Sequence, residues 1–306
     1  MKKIIAATLL SASSLLISGL ATADAYTQTK YPIVLAPGVL GFDKVLGIEY
    51  FYGIPAALSS GGAKVYVTSA SAFNTSEARG EQLLSQVQTI LAISGAQKVN
   101  LIGHSHGGAS IRYVAGMMPS RVASLTAVGS PVKGTPVADL VVKLTANPAL
   151  GELAATVGNA FSTLLDTLAG THYSENILGS MASLSTAGSA SFNTRFPAGV
   201  PTTACGAGAA QANGIAMYSW GGTSPTTNIF DPLDILFGTG SLAFAGQASD
   251  GLVGQCSNHF GVVLRDNYSW NHGDEINQLF GLRGLFSSDP KSVFRDQANR
   301  LKQAGL

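Results

Sequence analysis

Residues 99–108 read VNLIGHSHGG. The apolar run KVNLIG ends in Gly103-His104-Ser105-His106-Gly107, and HGGASIRYVAGMM follows as far as Pro119. A short apolar run closed by glycine predicts a buried strand, and the run after it predicts a helix. G-x-S-x-G between a strand and a helix is the pattern of a nucleophile elbow. Crowding explains the glycines. A tight strand-to-helix turn forces the serine into a strained conformation and lifts Oγ clear of the sheet. Side chains two positions either side would collide there. The helix start offers free N–H groups where a developing oxyanion would sit.

The neighbouring segments supply the setting that the pattern needs. YPIVLAPG and AKVYVTSAS predict two strands before it, and VASLTAVGSP a strand after it. Between them, NTSEARGEQLLSQVQTILAISG changes period. Leu83, Leu84, Val87, Ile90 and Leu91 share one helical face, Asn74 and Glu77 resemble a capping box, and Gly95 stops the helix. Alternating strands and helices imply a mostly parallel sheet covered on both faces, an α/β fold. From about 133 to 195 the rhythm breaks. Leu150, Leu153, Val157, Phe161, Leu164, Leu165 and Leu168 recur at helical spacing, opposite Glu152, Thr156, Asn159 and Asp166. That predicts an amphipathic helix, by default a core-facing one. Strands are expected again in AMYSWGG, SLAFAG and FGVVLRD.

At the front, the basic MKK, the apolar IIAATLLSASSLLISGLA and the ADA at 23–25 predict a secretory signal peptide over residues 1–25. A single domain over 26–306 would remain, and no later run is long and apolar enough to span a bilayer. Without Lys2, Lys3 and Asp24 the formal charge falls from +1 to zero, which leaves no footprint for nucleic acid. Charged residues make up 11% of the chain, against about 25% in ordinary globular proteins, so the surface is poor in charge. The two cysteines, Cys205 and Cys256, lie in no Cys/His or C-x-x-C signature; in an exported chain an even pair predicts a disulfide.

A serine nucleophile needs a base, and the base an orienting acid. His104 and His106 are too close in the chain to reach over Oγ. Of His172, His259 and His272, position favours His272, in the loop YSWNHGDE after a strand and before the predicted helix EINQLFGL. His259 is read as a structural hydrogen-bonding residue. Asp250 ranks first for the acid, with Asp231, Asp234 and Asp266 as competitors.

Four stretches together, YTQTKYPIVLAPGVLGFDK, VNLIGHSHGG, SDGLVGQCS and DNYSWNHGDEINQLFGL, strongly resemble the true lipases secreted by Pseudomonas, Vibrio and Burkholderia. The resemblance runs from about Tyr26 to the C-terminus. It implies an α/β-hydrolase that cleaves long-chain triacylglycerols, with Ser105 as nucleophile, Asp250 as acid and His272 as base. It implies the backbone N–H groups of Val39 and His106 as oxyanion hole, and a Cys205–Cys256 disulfide. A structural calcium ion on Asp231, Asp274, Gln278 and the Leu282 carbonyl is implied too. The helix at 147–169 becomes a lid, within an insertion at about 133–195. A membrane-anchored periplasmic foldase and type II export complete the implied set.

The calcium set suits an ion that prefers oxygen ligands, with Asp274 and Gln278 spaced i, i+4 on a predicted helix. Pro37-Gly38 stands where the family usually reads His-Gly. A preceding Pro-Gly does not remove the Val39 N–H, so the expectation is altered loop stability or selectivity rather than inactivity. Two other functions remain open on the sequence. One is an esterase or acyltransferase acting on short soluble esters or phospholipids; the other is a lipid-binding protein without catalysis.

Overall fold

The run at 99–104 is the middle of a seven-stranded sheet. The computed structural model describes residues 25–152, 170 and 172–306. The signal peptide read at 1–25 therefore lies outside the described residues apart from Ala25. The same holds for the lid helix read at 147–169, apart from a helical start at 148–152.

The strands are β1 (Ile33–Ala36), a small β2–β3 hairpin (Lys44–Val45, Ile48–Glu49), β4 (Val65–Val67), β5 (Val99–His104) and β6 (Val122–Val128). After them come β7 (Gln211–Ala212), β8 (Ile215–Gly222) and β9 (Val262–Tyr268). The main sheet runs β4-β1-β5-β6-β8, with β7 and β9 both along the outer edge of β8. All pairings in it are parallel except β7 with β8. β1, β5 and β6 are buried along their whole length, which is why they read as unbroken apolar runs rather than alternating ones.

Alternate residues of each strand feed two cores. Val34, Leu101 and Leu125 face α2 (Ser76–Ser94) and α3 (Gly107–Met117), packing on Leu83, Val87, Ile90, Ile111 and Val114. Ile33, Leu35, Ile102, Val128 and Trp220 face the other way, onto α1 (Ile54–Ser60) and the C-terminal helix, with Ile54, Leu58, Phe294 and Ala298. Burying a side chain of this size stabilises by roughly 1.5–3 kcal/mol. The two layers hold the C-terminal ends of β1, β5, β8 and β9 at one rim, where ligands bind in open α/β sheets.

Several boundaries differ from the sequence reading. α2 is capped by Thr75, whose side chain accepts from Ala78 N, while Asn74 Oδ1 accepts from Thr75 N; the predicted capping box is one residue off. SLAFAG is not a strand. It ends α7 (Leu233–Ser241), continues as a 3-10 turn at Leu242–Phe244, and buries Phe237 and Phe244, seven residues apart, on one face. EINQLFGL is not a helix either. A 3-10 turn at Asp274–Ile276 stops at Asn277, whose φ of +64° and amide bond to the Tyr52 carbonyl end the spiral. Between β6 and β7 the described residues hold α4 (Pro136–Thr145), α5 (Ile177–Leu184) and α6 (Thr186–Arg195), where the insertion was expected.

Candidate active site

Ser105 leaves β5 at φ +55°, a conformation a non-glycine residue adopts only where its surroundings impose it. Its N–H is tied to the Val128 carbonyl at 2.9 Å. A Cβ on Gly103 would run into the backbone of Gly107, and one on Gly107 into the Ala36 carbonyl. The elbow therefore closes only with glycine at both positions.

The loop after β1 crosses directly over the serine. A Cβ on Gly38 would lie 2.6 Å from Ser105 Cβ and 2.7 Å from the Tyr50 hydroxyl. Two side chains fix the start of this loop, and the Leu40 N–H on the Ala72 carbonyl holds it further on. The Gly38 N–H donates to Tyr50 Oη at 2.9 Å, and the Arg79 guanidinium donates to the Pro37 and Gly38 carbonyls at 2.9 and 2.6 Å. Burial lowers Arg79 to about 10, so it remains a cation at neutral pH. The Gly38 carbonyl and the Val39 N–H belong to one peptide group, so Arg79 sets that donor's orientation. Among the described residues, neither Val39 N–H nor His106 N–H donates to another protein group.

His272 Nδ1 lies 2.7 Å from Asp250 Oδ2, both groups buried. The His272 N–H also bonds the Asp250 carbonyl at 3.0 Å. Asp250 is held by its own turn, Oδ1 accepting from the N–H groups of Leu252 and Val253 at 2.8 and 2.6 Å. His272 Nε2 is buried with no hydrogen-bond partner. The ring sits 4.5 Å from that of His104, the residue preceding Ser105, and packs edge-on to Phe237. Imidazole and carboxylate thus pair across two loops, and the ring contact with His104 sets the pair beside the serine elbow.

The other candidates are occupied elsewhere. His259 bridges Asp266 at 2.9 Å and the Gly206 carbonyl at 3.0 Å, a structural role, and His172 is exposed. Asp234 accepts from the N–H groups of Thr227 and Asn228, both at 2.7 Å. His106 Nε2 meets Ser76 Oγ at 2.9 Å; burial, then the Arg79 charge, push its pKa well below the usual imidazole range.

Asn271 brings the predicted calcium residues into one place, its Nδ2 on Asp231 Oδ2 at 3.4 Å and its N–H on Asp274 Oδ2 at 3.2 Å. Asp274 Oδ1 and Gln278 Oε1 are buried without a partner, and Leu282 follows in the same loop, its N–H on the Leu279 carbonyl. Burial, reinforced by the charges of Asp231 and Asp234, raises Asp274 to about 7. One carboxylate oxygen and one amide oxygen left without a partner, beside the hydrogen-bonded Asp231 carboxylate, are the donor types a hard cation takes. Cys205 and Cys256 form a disulfide, six residues past Asp250 at its second end.

Tyr50, Arg79, Asn271 and Glu275 were not singled out in the sequence, and none carries a local signature. Glu275 is buried beside the histidines, its carboxylate accepting from Gly222 N–H at 2.7 Å and lying 3.3 Å from His104 Nε2. His104, His272 and Glu275 place one ligand atom each within 4.8 Å of one another. They pack instead as hydrogen-bonding neighbours of Asp250 and Tyr50.

Against known proteins, residues 31–276 match the family described as the alpha/beta hydrolase fold. The chain is 52% identical to the triacylglycerol lipase of Vibrio cholerae, over 92% of this chain and 90% of that one. It is 39% identical to the triacylglycerol lipase of Pseudomonas fragi, over 92% of this chain and 100% of the relative. Lipase 1 from Pelosinus fermentans superposes with a TM-score of 0.61 at 16% identity, covering 90% of this chain and 99% of that one, a likeness of fold. The chain belongs to the α/β-hydrolase fold family and, within it, to the bacterial triacylglycerol lipases.

Proposed function

We propose that the protein hydrolyses triacylglycerols through an acyl-enzyme on Ser105. The observation that carries this reading is the 2.7 Å His272–Asp250 pair, with His272 Nε2 unpartnered beside the strained serine elbow. Ser105 Oγ attacks the ester carbonyl and passes its proton to His272 Nε2, while Asp250 stabilises the imidazolium. The oxyanion is met by the N–H groups of Val39 and His106, each worth about 3–4 kcal/mol in the transition state. His272 then returns the proton to the leaving alcohol, and water attacks the acyl-enzyme by the same route.

A lipid substrate is supported by the relatives' activity and by the rim of the site. Leu140 and Leu144 on α4, and Ile235, Leu236 and Leu242 on and after α7, are exposed, and Phe237 of α7 packs on His272. A calcium ion held by Asp231, Asp274, Gln278 and the Leu282 carbonyl fits the orphaned oxygens there. It would supply positive charge to a buried acidic pair and pin the loop carrying His272. Loss of residues 1–25 rests on the signal-like pattern of that segment, and export with help from a foldase on the sequence resemblance.

The test is hydrolysis of a tributyrin-to-triolein series by the wild type and Ser105→Ala. Long-chain activity in the wild type, falling at least about 10³-fold in a folded Ser105→Ala, is the expected result. Turnover of short soluble esters alone would make the protein an esterase. Comparable activity in the variant would remove Ser105 from the mechanism.

A further inference from the structure

One unbroken hydrogen-bond chain links the loop over Ser105 to the loop carrying His272, and neither of its two side chains belongs to the Ser105–His272–Asp250 set. The Gly38 N–H donates to Tyr50 Oη at 2.9 Å. Tyr50 Oη lies 2.8 Å from His104 Nδ1, and His104 Nε2 lies 3.1 Å from the His272 carbonyl. All these groups are buried.

The geometry fixes every proton in the chain. A carbonyl oxygen only accepts, so His104 Nε2 must carry hydrogen. Burial, then the neighbouring His272, hold His104 well below the usual imidazole range, so the ring is neutral and Nδ1 is bare. Tyr50 must then donate to Nδ1. With its one hydrogen so engaged, Tyr50 Oη is free to accept the Gly38 N–H. With His104 neutral, no other arrangement of protons satisfies all three contacts.

Pro37 makes this chain consequential. The first residue of this loop brings no N–H and no polar side chain of its own. At Pro37 and Gly38 the side chains that hold the loop are Arg79 on the carbonyl side and Tyr50 on the N–H side. We infer that Tyr50 and His104 are positioning residues for the ester hydrolysis, tying the oxyanion loop to the His272 loop so that the Val39 donor and the base stay in register. The inference rests on the proposed serine mechanism, and it gives the residue between Gly103 and Ser105 a function of its own.

Small displacements of a pre-set donor or base lower turnover without weakening ground-state binding. The test uses full-length mature protein and p-nitrophenyl butyrate, with active sites counted by organophosphonate titration so that unfolded molecules do not contribute. Tyr50→Phe keeps the ring packed between Phe42 and Phe51 and removes only the hydroxyl. It should lower kcat at least about fivefold with KM within about twofold. His104→Leu should do the same. The double variant should be no slower than the slower single, because either change already breaks the chain. His104→Gln can offer an acceptor to Tyr50 and an N–H to His272, and should regain most of the lost kcat.

Losses below that threshold in both singles would overturn the inference, as would losses that multiply in the double variant. So would a change confined to KM, or a His104→Gln as slow as His104→Leu. If Ser105→Ala stays active, the serine mechanism itself fails. If Ser105→Ala is dead while Tyr50→Phe matches wild type, only the positioning chain does.

Discussion

Glu275 shows how far burial can move one residue from its usual chemistry. Its side chain is fully enclosed; desolvation, then the charge of Asp250, raise its pKa well above the ordinary carboxylate range. Burial therefore favours its neutral form, with the Gly222 N–H on one oxygen and Asp250 beside the other. A neutral amide of the same shape can make both contacts. Glu275→Gln should keep kcat/KM within about fivefold of wild type. Glu275→Leu leaves the Gly222 N–H without an acceptor and should lose about 1–3 kcal/mol of stability. Steady-state kinetics and thermal melts on the two variants distinguish these effects. A loss of a hundredfold or more in Glu275→Gln would mean that the site uses a charged Glu275.

At the scale of elements, what the sequence revealed was what is local. Val99 to Met117 encode their strand, elbow and helix within one short stretch, because the glycine clashes and the helix start are all internal to it. Position favoured His272 and ranked Asp250 first among four acids, and the resemblance to the secreted lipases implied both roles. What stayed hidden depends on contacts across the chain. Tyr50 meets His104 54 positions away, Asn271 gathers acids from two loops, and Phe237 and Phe244 turn an apparent strand into a helix end by finding the same core.

The 271–282 loop also carries a pH signature. Asp274 rises to about 7 when no cation neutralises it, against about 3.9 in an unfolded chain. Between these values the folded state binds the extra proton. Stability of the chelated protein should therefore fall as pH rises from about 4 to about 7 and level off above, by on the order of 4 kcal/mol from this group. Calcium should stabilise more at pH 7.5 than at pH 5, releasing a proton as it binds. Melting curves with calcium and with chelator, in wild type and Asp274→Asn, test this. A calcium gain that is the same at both pH values, or undiminished in Asp274→Asn, would refute it.

For the whole molecule, the question is what keeps the outer edge of the sheet attached to its centre. β8 carries both β7 and β9 on its far side, and the chain between Cys205 and Cys256 includes β7, β8, α7 and Asp250. The bridge closes a separation of 51 residues, which in the chain-entropy picture is worth about 3–4 kcal/mol through the unfolded state. Asp250 does not depend on it for position. Its carboxylate takes the Leu252 and Val253 N–H groups, its N–H bonds the Val253 carbonyl, and its carbonyl takes the His272 N–H. Cys205→Ser with Cys256→Ser should therefore lower Tm by roughly 5–7 °C while leaving kcat at 20 °C within about twofold. Calorimetry and active-site-titrated kinetics read the two effects separately. An unchanged Tm with a collapsed kcat would reverse the assignment and make the bridge a support of the Asp250 turn rather than of the fold.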